Sequence, residues 1–373
     1  MNFGFTEEQE LLRSEVRKFL DENCPLEEVR KISESPEGFS RELWKQIAEL
    51  GWLGLTVPEE HGGADLGWVD LVVILEEAGR TLFPSPLIST TLAAAAIRES
   101  GSAEQQARWL PRIADGSAIG TLALLEADDI QGAEGIRLRA TEDATLLDGE
   151  KLFVCDAGAA DLFVVALRSG EGPMDLRLAV VERGAEGVAS EDLPGIDLTK
   201  RLGRVRFDGV RLAPEDLLGG GGPAGAVTTR LQDLGAVAVA AEMVGAAEAA
   251  LQLTVGYSQE RVQFGQPIGT FQGVKHPLAE MYVDIESFRS LVYYAAWCLD
   301  EGHEDAALAA SRAKAYASEA LARIGIDAIQ LHGGIGYTWE YDAQLYLKRA
   351  KWARPMFGDA DYHYERVASL GGL

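Results

Sequence analysis

An arginine fork suits a pyrophosphate, whose oxygens it can meet in pairs, and a glutamine amide suits ribose or phosphate oxygens. Arg261 and Gln272 flank Gly265, Pro267 and Gly269 in the stretch YSQERVQFGQPIGTFQGVKHPLAEM, from Tyr257 to Met281. The pattern on both sides of those three residues is helix-competent, so they read as a tight turn between two helices. Such a turn could hold a dinucleotide outside a Rossmann fold. The plainer reading, a helix–turn–helix in a bundle with a surface arginine, is the one chemistry alone favours. The dinucleotide turn remains the alternative.

The elements that must position this turn fall into three stretches. Residues 1–118 read as helical: Val16, Phe19 and Leu20 repeat at helical spacing, as do Leu43, Trp44, Ile47 and Leu50, closed by Gly51. Thr6 reads as the cap of the first helix. Glu76 and Glu77 are adjacent on a helix, where side chains diverge by about 100°, so a solvated face is expected rather than a catalytic dyad. Residues 119–220 switch to short β-rich runs, at 144–154, 160–167, 176–182 and 205–212, separated by Gly, Asp and Pro. GGGGPAGA at 219–226 reads as a flexible hinge, because no Lys-Ser/Thr follows it and no GxGxxG-bearing βα unit surrounds it. Residues 221–373 read as long alanine-rich helices in an antiparallel bundle.

A chain of 373 residues, 47% hydrophobic, can bury a core divided over two or three domains. Its 34 basic and 59 acidic residues give a net charge of −25, which argues against nucleic-acid partners and anionic membrane surfaces. No apolar run is read as long enough to cross a bilayer, and no signal segment is seen. Cys24, Cys155 and Cys298 lie far apart without metal-ligand spacing, so a reduced, cytoplasmic protein is expected.

The words R-x-x-F-G-x-P-I-x-x-F-Q-x-x-x-H-x-L-A-x-M, carried by Arg261, Phe264, Gly265, Pro267, Ile268, Phe271, Gln272 and His276, resemble the signature of the acyl-CoA dehydrogenase family of flavoproteins. The likeness extends over essentially the whole chain. Gln330-Leu331-His332-Gly333-Gly334-Ile335-Gly336-Tyr337 matches the family's Q-x-x-G-G-x-G-Y. The resemblance implies an α+β fold: an N-terminal helical domain, a middle β-barrel-like domain and a C-terminal four-helix bundle. It implies FAD as cofactor, an acyl-CoA substrate and an electron-transfer flavoprotein as electron acceptor. It also implies that Arg261, Phe264, Ile268, Gln272, Gln330, Gly333 and Gly334 hold the ADP half of FAD. His332 reads as a structural histidine beside a glycine turn. The substrate is itself anionic, so local basic residues would have to supply its attraction.

Other family words are missing. Where the family carries T-E-P-G-A-G-S-D, this chain has Leu125-Glu126-Ala127-Asp128-Asp129-Ile130-Gln131, and where it carries W-x-T-N-G it has Phe153, Cys155 and Asp156. Removal of the substrate's α-proton as hydride leaves for flavin N5 needs a carboxylate base in a dry pocket. The family's usual Glu register falls on Phe357, and the alternative register, on the first helix of the last domain, falls near Gly235. Asp359, two residues from the first register, and Glu242, two helical turns beyond Gly235, are the surviving candidates. In the family, each FAD lies at a dimer interface of a tetramer: the missing words hold the flavin ring and the retained ones reach across to the ADP half. The chain therefore resembles the degenerate subunit of the α2β2 branch, which handles bulky CoA esters such as sterol side-chain fragments. A self-sufficient homotetramer with a displaced base and a non-catalytic assembly or CoA-ester-binding protein are the alternatives.

Overall fold

The computed structural model describes residues 5–141 and 145–373. Ala144, where the first expected strand run begins, lies outside the described residues. Along the chain come α1 (Glu7–Asn23), α2 (Leu26–Glu34), α3 (Arg41–Glu49), α4 (Trp68–Arg80), α5 (Leu87–Ser100) and α6 (Ala103–Ala114). Six strands follow: β1 (Gly120–Ala123), β2 (Leu146–Cys155), β3 (Leu162–Arg168), β4 (Leu176–Glu182), β5 (Val188–Leu193) and β6 (Leu202–Arg211). Then come α7 (Gly225–Glu260), the short strands β7 (Val262–Gln263) and β8 (Gln266–Pro267), α8 (Gln272–Asp300), α9 (Ala306–His332), α10 (Ala343–Ala353) and α11 (Ala360–Leu370).

One compact unit comprises residues 32–67 and 84–235. Its strands form two three-stranded sheets, in the orders β1-β3-β4 and β2-β6-β5. Among the described residues only β1 and β3 pair in parallel, with Gly120 opposite Leu162. The run 219–226 is not a loose linker here. Gln105, itself buried, donates to the carbonyls of Glu215 (2.7 Å) and Leu217 (3.0 Å) and accepts from Gly219 N (3.1 Å). Gly219 takes φ +59°, and a side chain there would also meet the Ser100 carbonyl, so the glycine is required by a pinned left-handed turn.

The other unit comprises residues 1–31, 68–83 and 236–373, and is helical. Thr6 caps α1 as expected, in a reciprocal box with Gln9. The start of α4 is capped from α8: Asp300 accepts from Trp68 N (2.6 Å) and Val69 N (3.0 Å). Glu76 and Glu77 are not solvated; both are buried. Arg17 meets Glu77 at 2.7 Å, Arg80 meets it at 2.9 Å, and Glu76 accepts from Arg289 at 3.2 Å and from the Tyr293 hydroxyl. Burial of two charges is tolerated because each has cationic partners from neighbouring helices.

Within this unit α8 and α9 run antiparallel, joined by Asp284, which accepts from Tyr316 and Arg323 at 2.9 Å each. Contrary to the sequence reading, α7 is long and apolar enough to cross a membrane by length and composition, but its most apolar window is 89% buried, as befits a core helix.

Candidate cofactor site

Helical hydrogen bonding continues past α7 as far as Arg261, whose N–H donates to Tyr257 O at 2.9 Å. The chain then turns back through β7 and β8, and Ile268 N closes the hairpin on Arg261 O, also at 2.9 Å. Phe264 and Gly265 form its tip with φ of +53° and +81°. A left-handed phenylalanine is unusual, and this one is 93% exposed, touching Phe271 edge-on at 6.1 Å. Ile268 is half-buried in the turn before α8, and Gln272 opens that helix. The guanidinium of Arg261 and the amide of Gln272 are exposed and have no polar partner among the described residues.

The end of α9 lies beside this hairpin. Asp284 already pairs with Arg323 near the middle of both helices, and burial together with the nearby Glu280 carboxylate raises the Asp327 pKa. Antiparallel continuation then carries the beginning of α8 to the end of α9, where Gln330 is exposed. His332, two residues past Gln330, lies tilted against Tyr257 with ring centroids 4.5 Å apart. Gly333 follows with φ +65° and ψ −142°, and its N–H donates to Gln330 O. Nothing lies within 4 Å of where a β-carbon on Gly333 or Gly334 would sit, so the backbone there is open to close approach. The seven residues expected to hold the dinucleotide thus come to one end of the helical unit, all of them exposed except the half-buried Ile268.

The two candidate bases are placed differently. Glu242 is buried in α7 and its Oε2 lies 3.3 Å from Nη1 of Arg349, which is fully buried on α10. Asp359 is exposed and caps α11, accepting from Tyr362 N at 2.9 Å. Each carboxylate therefore has a structural task. Phe357 sits between α10 and α11 at φ +54°, half-buried. Its turn is held by its carbonyls: Lys314 donates to Arg354 O (2.9 Å) and Gly358 O (2.8 Å), and His363 Nε2 donates to Phe357 O (2.9 Å). Burial pushes the Lys314 ammonium down to about 7 and His363 to about 3, so His363 is neutral.

In the sheet-bearing unit, the loop that replaces the glycine-rich word is folded around Glu126. One of its oxygens accepts from Lys151 Nζ (2.7 Å), Arg137 N (2.9 Å) and Leu138 N (2.9 Å). Lys151 is wholly buried, which pulls its pKa down to about 8 against the opposing pull of Glu126. Burial pushes Glu126 upward, but Lys151 and the two backbone donors leave it lowered overall. Asp128 pairs with Arg137 at 2.8 Å. Phe153 stands at a bulge of β2 with φ +54° and is 36% exposed. Asp156, at φ +52°, accepts from Ser89 Oγ at 2.6 Å.

A model of the acyl-CoA dehydrogenase N-terminal domain matches residues 6–117, and one of the C-terminal domain matches residues 225–370. The chain belongs to the acyl-CoA dehydrogenase family. Acyl-CoA dehydrogenase IpdE2 of Mycolicibacterium smegmatis is 34% identical over 354 residues, covering 95% of each chain. The ChsE4–ChsE5 complex from Mycobacterium tuberculosis has a chain of the same fold, with TM-score 0.90 and 27% identity over 100% of this chain and 99% of that one. PigA, solved with FAD and proline, is 25% identical with TM-score 0.91 over the full length of both chains.

Within the acyl-CoA dehydrogenase fold, the three-part order of helices, sheets and helices is the one anticipated from sequence. Sequence reasoning noted Glu126 only as part of an altered word and missed Lys151 entirely. Little local signal was available, since Lys151 follows Gly149 and Glu150 and only the residues after it are apolar.

Proposed function

We propose that this chain is one subunit of a heteromeric acyl-CoA dehydrogenase, and that it supplies the ADP-side half of an FAD site whose flavin ring and base belong to a second, intact chain. The observation that carries this reading is the contrast between the two residue sets. Arg261, Gln272 and Gln330 are exposed together at one end of the helical unit, while Glu242 and Asp359 are engaged in holding the fold.

The exposed residues fit the group. Arg261 offers an unengaged planar fork for the pyrophosphate, Gln272 and Gln330 offer amides to ribose or phosphate oxygens, and Gly333 and Gly334 leave room for the diphosphate against the backbone. Phe264 and Ile268 supply apolar cover from the hairpin. When bound, FAD accepts the hydride in α,β-dehydrogenation of a CoA thioester. This chain's residues hold and orient it and keep water from its ADP half. The proton at the α-carbon is taken by a carboxylate of the other chain, since the family register here carries Phe357, which accepts no proton. A bulky, sterol-derived acyl group and an electron-transfer flavoprotein as acceptor complete the proposal. Similarity to a chain of the ChsE4–ChsE5 complex supports the heteromeric arrangement.

The test is flavin content and turnover of the chain purified alone and co-purified with an acyl-CoA dehydrogenase encoded beside it. Flavin and turnover are expected only in the pair. Stoichiometric FAD with turnover in the lone chain would instead establish a self-sufficient homotetramer, and thioester binding without FAD in either preparation would establish a non-catalytic binder.

A further inference from the structure

His332 lies where the two cofactor-facing segments meet. Its ring is flanked by Tyr257 at 4.5 Å and by Tyr341 at 4.8 Å, inclined by 34° and 52°. Nδ1 donates to Ala328 O at 2.7 Å, which fixes the tautomer with the lone pair on Nε2. The residue is 3% exposed, and Nε2 has no hydrogen-bond partner among the described residues. Protonation would place an N–H there with nothing to receive it. The links to the site are direct. The carbonyl of Tyr257 receives the N–H of Arg261, Gln330 precedes His332 on the same turn, and Gly336 packs against the His332 Cβ. The facing titratable and charged groups are the Tyr257 phenol from α7, the Tyr341 phenol, and Glu260 and Asp342, whose fields reach Tyr341. Arg30 of α2 bonds Asp342 at 2.7 Å. Burial lowers the imidazole pKa below its usual value of 6.5.

We propose that His332 is a positioning residue of the cofactor-binding end: its unprotonated ring sets Tyr257, and through it Arg261, against the Gln330–Gly334 turn. The proposal rests on reading that end as a cofactor site.

The test uses whichever assembly carries FAD, following flavin released through a filter between pH 8 and pH 5, with circular dichroism reporting the fold. Wild type is expected to hold FAD at pH 8 and to release it with a midpoint below 6.5. His332→Phe keeps an aromatic ring but cannot protonate, so its retention is expected to stay flat over the same range. His332→Gln, neutral at every pH, should share that flat profile. His332→Ala unseats Tyr257 and is expected to weaken FAD binding about tenfold even at pH 8. The proposal is overturned if the Phe and Gln variants release FAD at the wild-type midpoint, or if the Ala variant binds like wild type. Arg261→Ala separates the two levels. Loss of FAD there with His332 variants unaffected removes only this inference, whereas full retention of FAD removes the site reading and this inference with it.

Discussion

Glu242 and Arg349 form an ion pair at 3.3 Å in which both side chains are out of water. A carboxylate so placed is committed to its guanidinium. Removing it strands a buried cation, and breaking such a pair costs about 3–5 kcal/mol. Glu242→Ala is therefore expected to lower unfolding free energy by about 3 kcal/mol in urea denaturation. Glu242→Gln, folded and assembled with a partner, should keep its turnover; loss of turnover with stability intact would make Glu242 a base after all. Asp359→Asn should preserve both stability and turnover, because asparagine caps a helix as well as aspartate does.

Arg261→Ala tests the cofactor reading without disturbing the core, since the guanidinium is exposed. FAD is expected to leave the assembled protein while the circular dichroism spectrum and melting temperature of this chain stay within about a degree of wild type. An unchanged FAD affinity in the assembly would refute the role.

Gly79 of α4 and Gly245 of α7 are where those helices touch. A β-carbon on Gly79 would overlap the Glu242 carbonyl, and one on Gly245 would overlap that of Glu76. Backbone cannot give way as a side chain can, so Gly79→Ala should cost about 3 kcal/mol or prevent folding. Gly256→Ala, in the same helix α7 but with open space around it, should instead stabilise by about 0.5–1 kcal/mol through helix propensity. Thermal denaturation of the two variants side by side reads the difference.

Lys314 gives stability a pH dependence whose sign follows from its burial. Its pKa is about 7 folded, against 10.5 for an ordinary lysine. Between those values the unfolded chain binds more protons than the native one, so this group makes stability rise with pH across that window and level off outside it. The slope it contributes approaches about 1.4 kcal/mol per pH unit at most. Lys314→Met should remove that rise from the variant's own stability curve, so that it appears in the difference between wild type and variant, while losing the hold on the Arg354 and Gly358 carbonyls. A difference curve flat from pH 7 to about 10 would contradict this.

Glu126→Gln leaves Lys151 buried without its counter-charge, and the loop between β1 and β2 without its organising carboxylate. A loss of about 3 kcal/mol is expected, together with faster proteolysis within residues 127–136. Wild-type cleavage rates would show that the loop is held by something else.

Much of this fold was legible because its signals are local. Apolar spacing marked Leu43, Trp44 and Ile47, and Thr6 announced its own cap. The C-terminal words could be read because each is one continuous stretch of sequence, a turn with the helix end beside it. What escaped reading depended on partners far away in the chain. Nothing near Glu76 and Glu77 signals that Arg13, Arg17 and Arg289 come from two other helices to meet them. The glycines at 219–221 look the same whether loose or pinned, and the pin is Gln105, more than a hundred residues earlier. The partner of Glu126 is likewise a strand residue beyond the loop it organises.

The hairpin tip has a consequence for how such a protein must be made. Phe264 at 93% exposure and Tyr337 at 82% give a solitary copy the outward look of an unfinished chain, with aromatic rings offered to any apolar surface. Synthesis in excess of whatever covers them exposes the surplus to chaperones, proteases and self-association. On the heteromeric reading proposed above, supply of this chain has to be matched to its complement, and a cell can set the amount of active complex by rationing one of the two.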